Sequence, residues 1–315
     1  MWTLSVLLAV WIVAAWPRSI PVASIPSTSA PANPTNPSSP ATVSTGQAGT
    51  PTPTSARTIS AHQMRERLTE ALDRHLRNRP GQLSLSIRDQ ATGFAFTYRP
   101  GARTVTASIV KVEILIALLL KAQREARHLT ATERGLATQM IEFSDNEAAN
   151  ALWYATGGSA GLAAVNERLR LTSTSPGPGG FWGATRTSAA DQIRVLHALT
   201  STHSPLSANS RRYVLDLMSR VTPDQVWGVS AAVAADTDDT DDTDHADDAV
   251  ALKNGWLPRA VDGGRWTINS IGRVRGDGHD YLIAVLSKLN PSMEAGVETV
   301  EHATRLVTST LRKGT

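Results

Sequence analysis

Between Thr106 and Leu120 the chain reads TASIVKVEILIALLL, an almost unbroken apolar run with a lysine inside it. Apolar residues on every side of a helical period predict a helix buried all round. From Ala107 to Leu120 the polar residues are Ser108, Lys111 and Glu113. A buried ammonium is costly unless a partner or a reaction uses it. Any fold for this chain must therefore bury the helix and still give Lys111 something to do.

Positions three apart lie on one helix face, with Cβ atoms about 5–6 Å apart, so Ser108 and Lys111 are expected to point the same way. Ser108 falls near the helix start, where backbone N–H groups and the dipole favour developing negative charge. Glu113 is about 200° around the helix from Lys111 and is not its ordinary ion partner. Desolvation lowers a lysine's pKa, which yields a free amine able to take a proton from a hydroxyl. A serine beside such a base is an activated nucleophile. Taken alone, Ser-x-x-Lys is better read as a helix-cap serine beside a snorkelling lysine.

Two further stretches change the balance. Ser144-Asp145-Asn146 lies 36 positions after Ser108, ahead of a helix, and Lys253-Asn254-Gly255 lies in a predicted strand. Separately these are a plausible cap and a plausible turn. Lysine is scarce here, five against twenty-six arginines, yet two of the five occupy these motifs. Arginine does not deprotonate and cannot stand in for a lysine base.

The order Ser-x-x-Lys, SDN, Lys-x-Gly resembles that of the class A β-lactamases and the related low-molecular-weight penicillin-binding proteins, over roughly residues 60–315. The resemblance implies an acyl-enzyme on Ser108, with Lys111 accepting its proton and Ser144 relaying one to the leaving nitrogen. It implies that Asn146 positions the substrate amide and ties down Lys111. Lys253 would orient Ser144 and attract a substrate carboxylate, helped by Asn254 and Gly255. The backbone N–H groups of Ser108 and Trp256 would form an oxyanion hole. The partner is then a small-molecule β-lactam or a peptidoglycan peptide, with no cofactor and no metal.

Three departures accompany the match. The loop Leu171 to Arg186 (LTSTSPGPGGFWGATR) has no Asp or Glu where class A enzymes carry the glutamate that activates the deacylating water, and Glu167 reads as helical. The interval from nucleophile to SDN is short, so the helical subdomain is trimmed. Asn254 stands where the family has Thr or Ser, although an amide can donate too. Acylation is expected, with slow release. A peptidoglycan D-alanyl carboxypeptidase or transpeptidase and a non-catalytic penicillin-binding-like protein are the alternatives.

Periodicity predicts the frame. A helix spans Ala61 to Asn78, strands follow at Gln82–Asp89 and Phe94–Arg99, and helices lie at Ala131–Phe143, after Asn146 and at Ser188–Thr200. Three strands (Ala249–Trp256, Arg265–Val274, Asp280–Lys288) and a helix over Met293–Leu311 complete the chain. The expected class is α+β, a mixed five-stranded sheet flanked by N- and C-terminal helices with an inserted, trimmed all-helical subdomain.

Residues 1–24 read as a signal peptide or membrane anchor and 25–57 as a Pro/Ser/Thr/Ala-rich flexible linker, with the enzyme domain at 58–315. Eight aspartates between 236 and 248 read as a solvated, disordered loop rather than a calcium site, since the EF-hand glycine and closing glutamate are missing. The formal charge is +3, and outside that run the body is basic, which fits an anionic surface such as a cell-wall polymer or nucleic acid and by itself does not choose between them. A nucleic-acid role is disfavoured because the basic residues show no interleaved aromatics. The sequence holds no cysteine, which excludes disulfides, thiolate metals and cysteine nucleophiles. An exported, cell-envelope or extracellular monomer is expected, with possible membrane anchoring through the N-terminal segment.

Overall fold

A computed structural model describes residues 60–233 and 249–314. The expected leader, the linker and the aspartate run lie outside the described residues. The first helix, α1 (Ala61–Leu76), starts at a capping box in which Ser60 and Gln63 satisfy each other's backbone N–H. It leads into the hairpin of β1 (Gln82–Asp89) and β2 (Ala95–Tyr98). A short strand, β3 (Thr104–Val105), and a 3-10 turn over Ala107–Ile109 then open α2 (Val110–Arg124). Twelve of the fifteen residues of α2 are buried, so the apolar run is a central helix.

Helices α3 (Ala131–Glu142), α4 (Asn146–Ala155) and α5 (Gly158–Arg168) follow. Strand β4 (Arg186–Thr187) pairs with β3, and α6 (Ala189–Thr200) and α7 (Ala208–Met218) complete the helical layer. The chain returns as β5 (Ala249–Arg259), β6 (Arg265–Gly276), β7 (His279–Asn290) and α8 (Met293–Arg312).

The five long strands form one sheet in the order β2-β1-β7-β6-β5. Every pairing in it is antiparallel, so the sheet is not mixed as expected. The reason is topological. The helical insertion carries the chain to the far edge at β5, and two hairpins then bring β7 back beside β1. No strand returns next to its predecessor in the same direction, as a parallel crossover would require.

Along β7 the side chains alternate between two cores. Leu282, Ala284 and Leu286 face the helical layer, whereas Tyr281, Ile283 and Val285 face α1 and α8. Both faces are therefore covered, and β5 remains as one edge. That free edge is the side against which the turn before α2 packs.

Candidate active site

The nucleophile candidate does not lie inside the helix. Ser108 occupies the 3-10 turn that enters α2, and Ala107 before it has a left-handed φ of 49°. Such a conformation is unusual for a non-glycine residue and persists where its surroundings hold it. Here Asn269 of β6 donates to the carbonyls of Val105 (2.9 Å) and Thr106 (3.0 Å). From the other side β5 closes in at Gly255. A Cβ there would fall 2.7 Å from the Ser108 nitrogen and 2.8 Å from that of Ile109. Gly255 is thus the residue that lets the edge strand touch the nucleophile turn.

Lys111 and Lys253 are both fully buried, while Ser108 and Ser144 are half-buried and Asn146 is exposed. Lys111 Nζ donates to the Ser144 carbonyl (2.6 Å), Ser144 Oγ (3.2 Å) and Asn146 Oδ1 (2.8 Å). Those three bonds use its three protons, and none goes to Ser108. The expected direct Ser108–Lys111 pairing is therefore replaced by an amine turned towards the SDN segment. Lys253 Nζ reaches Ser144 Oγ (2.9 Å), the Asn254 carbonyl (3.2 Å) and Gln225 Oε1 (3.4 Å). Ser144, itself at a φ of 54°, receives both amines because Asp145 caps α4 and turns the serine inward.

Burial is the main cause that brings the Lys111 pKa down to about 7, and the Asp145 carboxylate opposes it. Lys253 is held well below the usual lysine range, chiefly by burial and then by the Lys111 charge. Two ammonium groups cannot both stay charged cheaply around one hydroxyl out of water. The arrangement thus supplies a free amine near neutral pH.

Over Lys111 lies the ring of Trp182, its centroid 5.0 Å from Nζ, with the indole N–H bonded to Asn150 Oδ1 at 2.8 Å. The loop that carries it is tied down by the buried Asp191 carboxylate, which accepts from the Ser173 amide, the Thr174 hydroxyl and Arg194. An indole thus stands beside the amine, in the loop from Leu171 to Arg186 that holds no Asp or Glu. Glu167 sits exposed on α5.

Asn254 departs from its expected role. It is fully buried and gives both amide protons to carbonyls, those of Gln225 (2.8 Å) and Trp227 (3.1 Å). The reason is strand alternation, which turns Asn254 away from the face that Lys253 and Gly255 share. The Trp256 indole also lies on that opposite side, edge-on to Trp227 at 5.7 Å.

Gln225, Trp227, Asn269 and Trp182 were not found from the sequence. Only Trp182 left a trace there, a large aromatic in a Gly/Pro loop. The others act through contacts between distant segments. Among the described residues no cluster of three or more His, Asp or Glu could hold a metal ion, and no helix is long and apolar enough to cross a membrane. A recess of about 330 Å³ opens at the far end of α2, lined by Leu119, Gln123, Ser210 and Tyr213, away from this chemistry.

Comparison with known proteins places the geometry in a wider set. A model of the beta-lactamase enzyme family matches residues 127–311, an interval that includes Ser144, Asn146 and Lys253. The protein named "Putative lipoprotein LppW" of Mycobacterium tuberculosis is 28% identical over 224 residues, 71% of this chain and 68% of that one. A class A β-lactamase of Bacteroides cellulosilyticus superposes with a TM-score of 0.65 at 14% identity, covering 79% of this chain and 99% of its own. PBP-A gives 0.65 at 18% identity, over 78% and 96%. The extended-spectrum β-lactamase TLA-1 gives 0.66 at 15%, over 79% and 99%. At these identities the structures speak for a shared fold.

Proposed function

The chain belongs to the beta-lactamase enzyme family, and within it we propose a serine acyl-transfer hydrolase that forms an acyl-enzyme on Ser108. The observation that carries this reading is the convergence of both lysine amines on Ser144 Oγ, at 3.2 and 2.9 Å, beside the nucleophile turn. Ser108 Oγ attacks the acyl carbonyl, and Lys111, uncharged above about pH 7 and turned from Ser144 Oγ to Ser108, takes its proton. The C–N bond then breaks, and Ser144 delivers a proton to the leaving nitrogen while Lys111 restores its own. The Ser108 and Trp256 amides hold the developing oxyanion, a role in which losing one donor typically costs about 10²–10³ in rate. Asn146, exposed beside Lys111, holds the substrate amide.

The scissile group is a β-lactam or peptidoglycan-type amide, and its release as a free acid is slow. Trp182 supports this, because an indole over Lys111 activates no water. Residues 1–24 and 25–57 serve as export segment and spacer ahead of the enzyme domain at 58–315. A cell-envelope location agrees with the lipoprotein name of the mycobacterial relative.

Fluorescent penicillin followed by intact-mass detection tests the assignment. The wild-type protein gains an adduct on Ser108, at a rate that rises with pH through about 7 as Lys111 loses its proton. Ser108→Ala gains none. Unchanged labelling of Ser108→Ala would remove Ser108 as the nucleophile.

A further inference from the structure

Glu113 is fully buried two positions beyond Lys111 and takes no part in the acyl transfer itself, yet its contacts lead to the loop that carries Trp182. Gln192 of α6 spends both amide protons there, one on Glu113 Oε1 (2.8 Å) and one on the Thr187 hydroxyl (2.9 Å). The Thr187 hydroxyl meets that of Thr174 at 2.8 Å, and Thr174 donates to Asp191 Oδ2 at 2.7 Å. Thr187 therefore donates to Thr174, and one chain of bonds runs from Glu113 through Gln192 and both threonines to Asp191. Thr174 and Thr187 are the two feet of the segment 175–186, whose middle sets the Trp182 indole over Lys111.

Two oxygens in this network have no donor, Glu113 Oε2 and Gln192 Oε1. A neutral carboxyl has a proton to offer on Oε2, and Gln192 Oε1 can receive it, so one proton gives both a partner. An ionised Glu113 has none to offer. Around it, α6 presents the Asp191 carboxylate, tied to Arg194, while β3 and β4 present Thr104 and Thr187. From α5 come Leu162, Val165 and Asn166, and Lys111 lies on the other side of α2. Burial first, and the Asp191 charge with it, push the Glu113 pKa up to about 7 against the Gln192 hydrogen bond.

Two carboxylates out of water with one amide between them are relieved when water enters. Helices α2 and α6 are fixed in the core, whereas the segment 175–184 buries no apolar side chain fully. At Gly177 a Cβ would fall 2.2 Å from the Phe181 carbonyl, so this loop is folded on itself and moves as one piece. Local opening is easiest where few side chains are buried.

We propose that Glu113 is a positioning residue for release of the acyl group: neutral, it holds the loop that seats Trp182 over Lys111, and ionised, it frees that loop so that water reaches the Ser108 ester. The inference rests on the acyl-enzyme reading above and adds its control by pH. In the step controlled, the oxygen of water bonds to the acyl carbon and the bond from that carbon to the Ser108 oxygen breaks. One water proton ends on Ser108 Oγ, passed by the uncovered Lys111 amine, and the acyl group leaves as the free acid.

The full chain is loaded with penicillin G and freed of excess, and decay of the Ser108 adduct is followed by intact mass between about pH 5.5 and 8.5. Wild type and Glu113→Gln share Lys111, so its titration cancels in the ratio of their decay rates. The ratio is expected near one at the acid end and about tenfold in favour of wild type at the alkaline end, a common size for coupling between two sites. In a Trp182→Ala background it should stay near one throughout. In wild type alone, hydrogen exchange of the amides in the segment 175–186, corrected for intrinsic rate, should rise about tenfold over the same range. A flat ratio, a pH dependence that survives Trp182→Ala, or unchanged loop exchange each overturns the inference and leaves the acyl-enzyme reading intact. No Ser108 adduct on wild type overturns both. The exchange measurement decides even if a variant fails to fold.

Discussion

Glu113 is a buried acid that the proposed chemistry does not use. It lies two positions beyond Lys111, and its partner comes from another helix. Gln192 of α6 donates to Oε1 at 2.8 Å, whereas Oε2 has no hydrogen-bond partner. Burial pushes its pKa up from 4.5 to about 7, and the Asp191 charge adds to the effect against the hydrogen bond from Gln192. The sign of the consequence follows from proton counting. Between about 4.5 and 7 the folded protein keeps a proton that the unfolded chain has released. Stability from this group is therefore full below the lower value and is lost as pH rises through the upper one. At about 1.4 kcal/mol per unit between the two values, the loss is about 3 kcal/mol. Glu113→Gln has no such proton to lose. Urea titrations from pH 4.5 to 8 should show the variant gaining about that much on wild type as pH rises. Both proteins share the same lysines, whose titration cancels in the difference. Parallel curves across that range would mean that Glu113 is charged in the folded protein.

At the scale of elements, the site is a meeting of a strand edge with a helix entry. Gly255 of β5 stands against the amides of Ser108 and Ile109 and against the Thr106 carbonyl, at 2.7 to 2.8 Å from where a Cβ would be. All three are backbone atoms with little room to yield. Gly255→Ala should push the nucleophile turn off the strand. We expect acylation of Ser108 to fall by about 10² or more, the loss of one aligned oxyanion donor, with a stability loss of about 1–3 kcal/mol. Penicillin labelling and urea unfolding on one sample separate the two effects. Near-wild-type labelling would show that contact between strand and turn is dispensable. This junction also marks how far the sequence could be read. Strand β1 was legible to the residue, because its alternation is local. The bases of the site were legible because lysine is rare here and falls in spaced motifs. The 3-10 entry was not, since a helical period cannot register a left-handed Ala107. Asn269 and Gln225 were equally silent, because each is polar, single and given meaning only by a segment far away in sequence. Helix α7 was passed over for a related reason. Its buried residues, Ser210, Val214, Leu217 and Met218, make a narrow stripe among arginines.

For the whole molecule, the order β2-β1-β7-β6-β5 interleaves the two ends of the described chain. Strand β1, from the N-terminal hairpin, pairs along its length with β7, and α1 and α8 share the core on the outer face. Helices α6 and α7, inserted between β4 and β5, pack on the inner face of the same sheet, and α2 to α5 join the same core. Neither core can close without strands that the other also needs, and the active site lies where the layers meet. Two hydrophobic cores would ordinarily permit two unfolding steps, as in larger proteins with separable domains. A shared sheet removes that freedom, because loss of either layer exposes the strand backbone and the facing side chains of the other. The consequence can be measured with one substitution on each side. Leu115 of α2 lies in the inner core, 0% exposed, and Leu68 of α1 lies in the outer core, also 0% exposed. Leu→Ala at such positions costs about 2–5 kcal/mol. In each variant, circular dichroism and tryptophan fluorescence should shift to lower urea together and keep a common midpoint. If Leu68→Ala moved one probe and left the other in place, the outer layer would be a unit of its own. The site would then owe its geometry to the helical layer and β5 alone. A common midpoint instead makes Ser108, Ser144 and Lys253 dependent on α1 and α8, which never touch them.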